Sequence, residues 1–218
     1  MIYATFLTGD EYRKKYTTQV QREVKNKDVH ILTDQPDLFP NSKTELYDKE
    51  VFSYYDKLTF LLRTVIERKE RVTFIDCDWF TGLHLGLNIY PDTFYTYRLY
   101  PFSDFKIMPF SIHGLNLVKE VTTKHKLKFK EEVYIGEAIM SMPFLDCSQN
   151  ILDDLNYIQK DWESTFSQNL ITESAKLKRY SSYGVGYGEG GALTAILQKY
   201  NVTLEEVDKK KFIHNNPI

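Results

Sequence analysis

The first third of the chain alternates short apolar runs with longer amphipathic stretches. Ile2-Tyr3-Ala4-Thr5-Phe6-Leu7 is a β-prone apolar run closed by Thr8-Gly9, the pattern of a buried strand ending in a turn. Asp10 follows as a helix cap, and a helix is predicted from Glu11 to Lys25. Val29 to Thr33 reads as a second strand, stopped by Asp34-Gln35-Pro36 because proline lacks the ladder N–H. The polar stretch from Asp37 to Thr44 reads as a loop. From Tyr54 to Arg68, Leu58, Leu61, Leu62, Val65 and Ile66 recur at spacings of three and four, which defines an amphipathic helix. Val72-Thr73-Phe74-Ile75 is a third buried strand.

Strand, helix, strand, helix, strand in this order predicts an α/β, Rossmann-like fold with a mostly parallel sheet, because parallel neighbours need a crossover of that length. Beyond Trp79 the rhythm breaks into short extended pieces rich in Tyr, Phe and Pro up to Phe110. Strands are predicted at Val133–Ile135 and Ala138–Met140, with Gly136 between them, and helices near Ile151–Lys160 and Ala192–Tyr200. No internal repeat is visible.

Composition narrows the field. At 218 residues and 42% hydrophobic, the chain is long enough for one domain with a real core. Lys+Arg number 28 against 30 Asp+Glu, so no positive field favours nucleic acid or an anionic membrane. Two cysteines make no disulfide framework, and there is neither a charged-then-apolar leader nor a ~20-residue apolar run. These features predict a cytoplasmic protein without a membrane span, and a fragment of a longer chain fits them as well. Aromatic residues reach 15%, with 16 Tyr, and Trp79, Trp162, Phe94, Tyr95, Tyr97 and Tyr100 are candidates for stacking on sugar faces as well as for the core.

The sharpest chemical feature is Phe74-Ile75-Asp76-Cys77-Asp78-Trp79. Two carboxylates one residue apart point to the same side of an extended chain, and at the end of an apolar strand they lie where open α/β sheets bind ligands. Hard oxygen ligands suit Mn²⁺ or Mg²⁺, which can neutralise a diphosphate. Gly186-Tyr187-Gly188-Glu189-Gly190-Gly191 fits G-x-G-x-x-G, but no apolar strand precedes it and it comes late, so a dinucleotide site is not predicted. P-loop, G-x-S-x-G and zinc-ligand spacings are absent.

Placed after an apolar strand and a long helix, this acidic triplet resembles the Asp-x-Asp motif that ends a central strand in nucleotide-sugar-dependent glycosyltransferases of the GT-A fold. Ile31-Leu32-Thr33-Asp34-Gln35-Pro36 is similar to the second-strand segment of family 6, and Tyr55-Asp56-Lys57-Leu58 to a basic-residue-plus-leucine signature of family 8. Phe212-Ile213-His214 resembles the family 8 segment whose histidine completes the metal site, although Asn215-Asn216-Pro217 departs from the continuation that bears the diphosphate lysine. The resemblance implies one GT-A domain over 1–218, with residues 1–80 as nucleotide-binding half and 81–218 as sugar and acceptor half. It implies metal ligands Asp76, Asp78 and His214. Thr5, Phe6, Leu7, Asp34, Lys57 and Asp76 are then nucleotide- or sugar-binding, and Glu189 and Glu137 are catalytic candidates near the donor sugar.

The expected activity is transfer of a sugar, with retention, from a UDP-hexose or UDP-deoxyhexose to a glycan or glycoprotein. The compact, aromatic-rich chain is also similar to glycosyltransferase domains of large algal DNA viruses, which glycosylate capsid proteins in host cytoplasm. Two other readings stay open. A nucleotide-sugar nucleotidyltransferase shares the acids and the sheet, but Thr8-Gly9-Asp10-Glu11 lacks its Gly/Arg-rich phosphate loop. A non-catalytic carbohydrate-binding domain would keep the fold without the chemistry.

Overall fold

The computed structural model describes residues 2–25, 27–49, 53–79, 90–103, 122–136, 138–165 and 189–207. In chain order the elements are β1 (Ile2–Leu7), α1 (Asp10–Val24), β2 (Asp28–Thr33), β3 (Lys43–Leu46), α2 (Tyr54–Arg68), β4 (Val72–Ile75), β5 (Thr93–Thr96), β6 (Leu99–Pro101), β7 (Val133–Ile135), β8 (Ile139–Met142), α3 (Ser148–Thr165), α4 (Glu189–Lys199) and β9 (Thr203–Glu206). Seven strands form the central sheet in the order β3-β2-β1-β4-β8-β5-β9, and β6 with β7 forms a small second sheet. Pairing is parallel from β3 to β4 and between β5 and β9, while β8 runs antiparallel to both β4 and β5. The chain is thus α/β with a mostly parallel central sheet flanked by helices, compatible with a Rossmann-like fold.

Each sheet face carries its own core, as the two-residue period of strands requires. Ala4, Phe6, Leu32, Phe74, Phe94 and Met140 face α2, α3 and α4, where Leu58, Leu61, Val65, Leu155 and Ile196 are all buried. Tyr3, Leu7, Ile31, Ile75 and Ile139 face the other way, toward α1 and Phe39. Helix α1 is mostly polar: only Val20 is fully sequestered, and Tyr16 and Val24, one turn to either side, pack part-buried against the same core. Phe74 is fully buried at the sheet centre; burial of such a side chain contributes roughly 2 kcal/mol.

The sequence pattern is met from β1 to β4 with two exceptions: Asp10, expected as the cap of α1, is the first residue of the helix and Gly9 takes the cap position, and the second lies before α2. The predicted loop from Asp37 to Thr44 runs into β3, which pairs in parallel with β2. Its Lys-Thr-Glu-Leu sequence shows no apolar alternation because β3 is an edge strand exposed at Lys43 and Leu46. The residues predicted as neighbouring strands around Gly136 enter different sheets. β7 pairs with β6, whereas β8 is inserted between β4 and β5. At Gly136 a Cβ would lie 3.0 Å from the Tyr100 ring and 3.1 Å from the Arg98 carbonyl, so the chain crosses there only without a side chain. Arg71 fixes the far side of the sheet by donating to the carbonyls of Tyr90 (2.8 Å), Thr93 (2.9 Å) and Ser141 (3.1 Å).

Candidate functional site

Strand order reverses at β1: the chain proceeds outward from β1 to β2 and β3, then returns to place β4 on the other side of β1. In open α/β sheets such a switch point leaves a crevice at the carboxyl ends of the strands, and ligands bind there. The sequence candidates Thr5, Phe6, Leu7, Asp34, Asp76 and Asp78 all fall at this end of β1, β2 and β4. The N-termini of α1 and α2 open onto it too, which favours anions through exposed amides and the helix dipole.

Asp76 follows the last residue of β4, and its amide donates to the Ala138 carbonyl at 2.9 Å. The chain does not continue extended beyond it. Cys77–Trp79 form one turn of 3₁₀ helix, closed by the Trp79 amide on the Asp76 carbonyl at 2.8 Å. The same-side argument for two acids on a strand therefore does not apply, because Asp78 sits on a helical turn rather than on an extended chain. It buries Cys77 against the α1 face of the sheet and leaves Asp76 and Asp78 half-buried at the crevice. Burial holds the Asp78 carboxyl above the usual carboxylate range, against the opposing pull of its own and the Trp79 amide and of the Lys57 and Lys15 charges. Burial likewise raises the Cys77 thiol strongly, which disfavours its thiolate form.

Lys57 lies in the first turn of α2. Its side chain is only 5% exposed and its Nζ lies 3.7 Å from Asp76 Oδ1. A lysine in the first turn of an amphipathic helix is ordinarily solvated; this one is folded inward beside the acid pair. The preceding residue anchors the same turn. Asp56 accepts hydrogen bonds from Tyr47 Oη (2.8 Å), Lys49 Nζ (2.6 Å) and Gln159 Nε2 (2.6 Å), and so ties α2 to the β3 end and to α3.

Asp34 closes the other flank. Its Oδ2 accepts from the Gly9 amide at 3.1 Å and pairs with Arg13, which also reaches Asp10. Burial alone would raise its pKa, but the Arg13 guanidinium, the Gly9 amide and the Thr8 hydroxyl together hold the carboxyl below its usual range. Gly9 has φ of 80° and ψ of 143°, a conformation glycine adopts readily and other residues avoid, and this lets the β1–α1 turn present its amide to Asp34.

Thr5, Phe6 and Leu7 are buried within the sheet. Thr5 Oγ1 donates to the Ile75 carbonyl at 2.8 Å, Phe6 packs edge-on against Tyr47 at 4.9 Å, and Leu7 belongs to the α1-side core. Their side chains are spent on the interior of the sheet and its two cores. Glu189 is buried at the first turn of α4, a helix packed on α2, α3 and β7. His214 and Glu137 lie outside the described residues, as does the lysine run 209–211, although the Asp76–Ala138 bond brings the neighbour of Glu137 to Asp76. Of the aromatic candidates, Phe94 and Tyr95 are core residues, whereas Trp79 stacks at a tilt on Tyr97 with centroids 4.8 Å apart next to the acid pair; the Trp162 side chain lies outside the description.

Sequence reasoning missed Arg13, Lys15 and Tyr12. Positions 12, 15, 16 and 19 share one face of α1 by helical spacing. Gln19 donates to the Cys77 carbonyl at 3.3 Å and the Lys15 charge acts on Asp78, so this face looks toward the acidic turn, with Tyr12 46% exposed upon it. The signal available was a basic-aromatic helix start directly after β1.

Two half-buried carboxylates on one tight turn are a fit, in number and type, for a hard divalent cation that takes its remaining ligands from phosphate and water. Among the described residues no cluster of three or more His, Cys, Asp or Glu side chains forms a complete protein cage. No known family model matches the chain, and no curated protein sequence matches it.

Proposed function

We propose that the protein is a metal-dependent glycosyltransferase of GT-A type that moves a hexose or deoxyhexose from a UDP-sugar to a hydroxyl of a glycan or glycoprotein, with retention. The observation that carries this reading is the acid pair Asp76 and Asp78 on the turn ending the central strand β4, at the switch point, with buried Lys57 drawn to within 3.7 Å of Asp76. Bound Mn²⁺ or Mg²⁺ supplies Lewis-acid stabilisation of the charge that develops on the departing diphosphate. Asp78 and Asp76 hold that cation, joined by His214 in the reading drawn from sequence resemblance. The burial that raises the Asp78 pKa makes its charge costly beyond what the amides and lysines offset, and a cation at the turn relieves that cost.

Lys57 and Lys15 add positive charge on either flank, suited to a diphosphate and worth most where water is excluded. In this reading Asp34, fixed by Arg13 and Gly9 at the end of β2, orients the nucleoside, and the part-exposed Tyr12 offers the base an aromatic surface. Glu189 and Glu137 are assigned to the sugar side. In the transfer the bond from the anomeric carbon to the diphosphate oxygen breaks, the acceptor oxygen bonds to that carbon on the same face, and its proton passes to the leaving diphosphate.

Calorimetric titration of UDP, GDP and ADP with Mn²⁺ or with EDTA, repeated on Asp78→Asn and His214→Ala, tests the reading. Selective, metal-dependent UDP binding that collapses in both variants is expected. Absence of nucleoside diphosphate binding under every condition would remove the glycosyltransferase reading in favour of a non-catalytic binding domain.

A further inference from the structure

A second concave surface lies on the other flank of α2, between the edge strand β3 and α3. It encloses about 410 Å³, within the ~300–1,000 Å³ span of small-ligand sites. Its lining carries three carboxylates, Glu45, Asp48 and Asp56, against three cations, Lys49, Arg63 and Lys160. The walls are braced: Arg63 pairs with Glu45 at 2.6 Å, and Asp56, 6% exposed, is held by Tyr47, Lys49 and Gln159. At the mouth Asp48, Asn156 and Lys160 are exposed, and Leu46 is a large apolar side chain with 58% of its surface open.

We propose that this cleft binds a neutral saccharide chain. Balanced charges disfavour both a phosphate and a metal ion, since either meets as many like charges as opposite ones. A sugar hydroxyl is donor and acceptor at once, and the exposed Asp48, Asn156 and Lys160 of the lining offer it both kinds of group. Leu46 suits the C–H face of a pyranose, and pre-braced walls lower the ordering cost of binding. The inference goes beyond the donor reading and does not rest on it. Asp56 faces this cleft while the next residue, Lys57, faces the acid pair, so the two sites occupy opposite flanks of one helical turn.

The test is saturation-transfer NMR and calorimetry of the full chain with lactose, maltotriose and mannotriose, set against inorganic phosphate and a sulfated disaccharide. At least one neutral sugar is expected to bind saturably, to weaken by at least about tenfold, or ~1.4 kcal/mol, in Asn156→Trp, and to be unaffected by Asp78→Asn, which reports on the donor site alone. Asn156 is exposed, and the double variant Asp48→Ala/Lys160→Ala provides a second surface lesion should the tryptophan disturb folding. No neutral sugar binding, binding indifferent to both lesions, or tighter binding of phosphate or the sulfated disaccharide would overturn the proposal.

Discussion

Two aspartates flank the first turns of α2, and they are treated in opposite ways. Asp56 is almost wholly buried and is met by a tyrosine hydroxyl, an ammonium and an amide, each at 2.8 Å or less. Asp78 is half-buried on its tight turn, and the opposing pull of backbone amides and of two lysine charges does not offset the burial that keeps its pKa high. A carboxylate whose surroundings answer its charge holds structure together. One whose desolvation is left under-compensated stores a cost that a bound cation can relieve, and such perturbed groups in crevices mark functional sites. The difference separates scaffold from site more clearly than the shared residue type.

Breaking the scaffold member should have the largest effect. Asp56→Ala removes the acceptor that the buried Tyr47 hydroxyl and Gln159 amide share, each lost bond costing ~1–3 kcal/mol, so a loss of about 3 kcal/mol is expected in urea unfolding. Because Lys57 follows in the same turn, metal-dependent UDP binding should weaken as well. Asp56→Asn keeps one acceptor oxygen and should recover part of both. Unchanged stability in the alanine variant would show that the three bonds do not hold α2.

The site member should behave in the opposite sense. A raised folded pKa means the folded state binds the Asp78 proton more tightly than the unfolded chain does. Stability therefore falls as pH rises from the ordinary carboxylate range through the folded value. Asp78→Asn removes that fall, so its Tm near neutrality should equal or exceed that of the parent and the two should converge at acid pH. Nucleotide binding with Mn²⁺ should drop by more than about tenfold, the size seen even for indirect partners of metal sites. A variant less stable than the parent across the range would place Asp78 with Asp56 as a structural acid.

The same contrast explains what could be read from sequence. Elements with a strong apolar pattern were legible: the three-and-four spacing of Leu58, Leu61, Leu62 and Val65 locates α2, and the continuous buried run Val72–Ile75 locates β4, to the residue. Edge strands β3 and β9 were not, since Lys-Thr-Glu-Leu and Thr-Leu-Glu-Glu bury little and carry no alternation to find. At the site, the acids were visible as a motif and Lys57 as a candidate. Arg13, Lys15 and Asp56 acquire roles only through contacts between elements distant in sequence. Asp34 with Arg13 spans β2 and α1, and Asp56 with Gln159 spans 103 residues. No local pattern encodes such partners.

Asp34 gives the smallest and most diagnostic effect, because it lies between the two extremes. Burial opposes its charge, yet Arg13, Gly9 and Thr8 win, and its folded pKa is lowered. Such a group stabilises the fold above the ordinary carboxylate value, and that contribution is lost as pH falls through the lowered folded value. Arg13→Ala leaves burial opposed only by neutral donors, so the Asp34 pKa, followed by NMR, should rise and the acid limb of the stability curve should begin at higher pH. With Asp34 part-exposed, the loss at neutral pH should be only ~0.5–1 kcal/mol. If Asp34 serves only to clip β2 to α1, UDP affinity should follow that small loss. If it orients the nucleoside, affinity should fall further than stability does, because the carboxylate that Arg13 fixes would be left in place but no longer aimed.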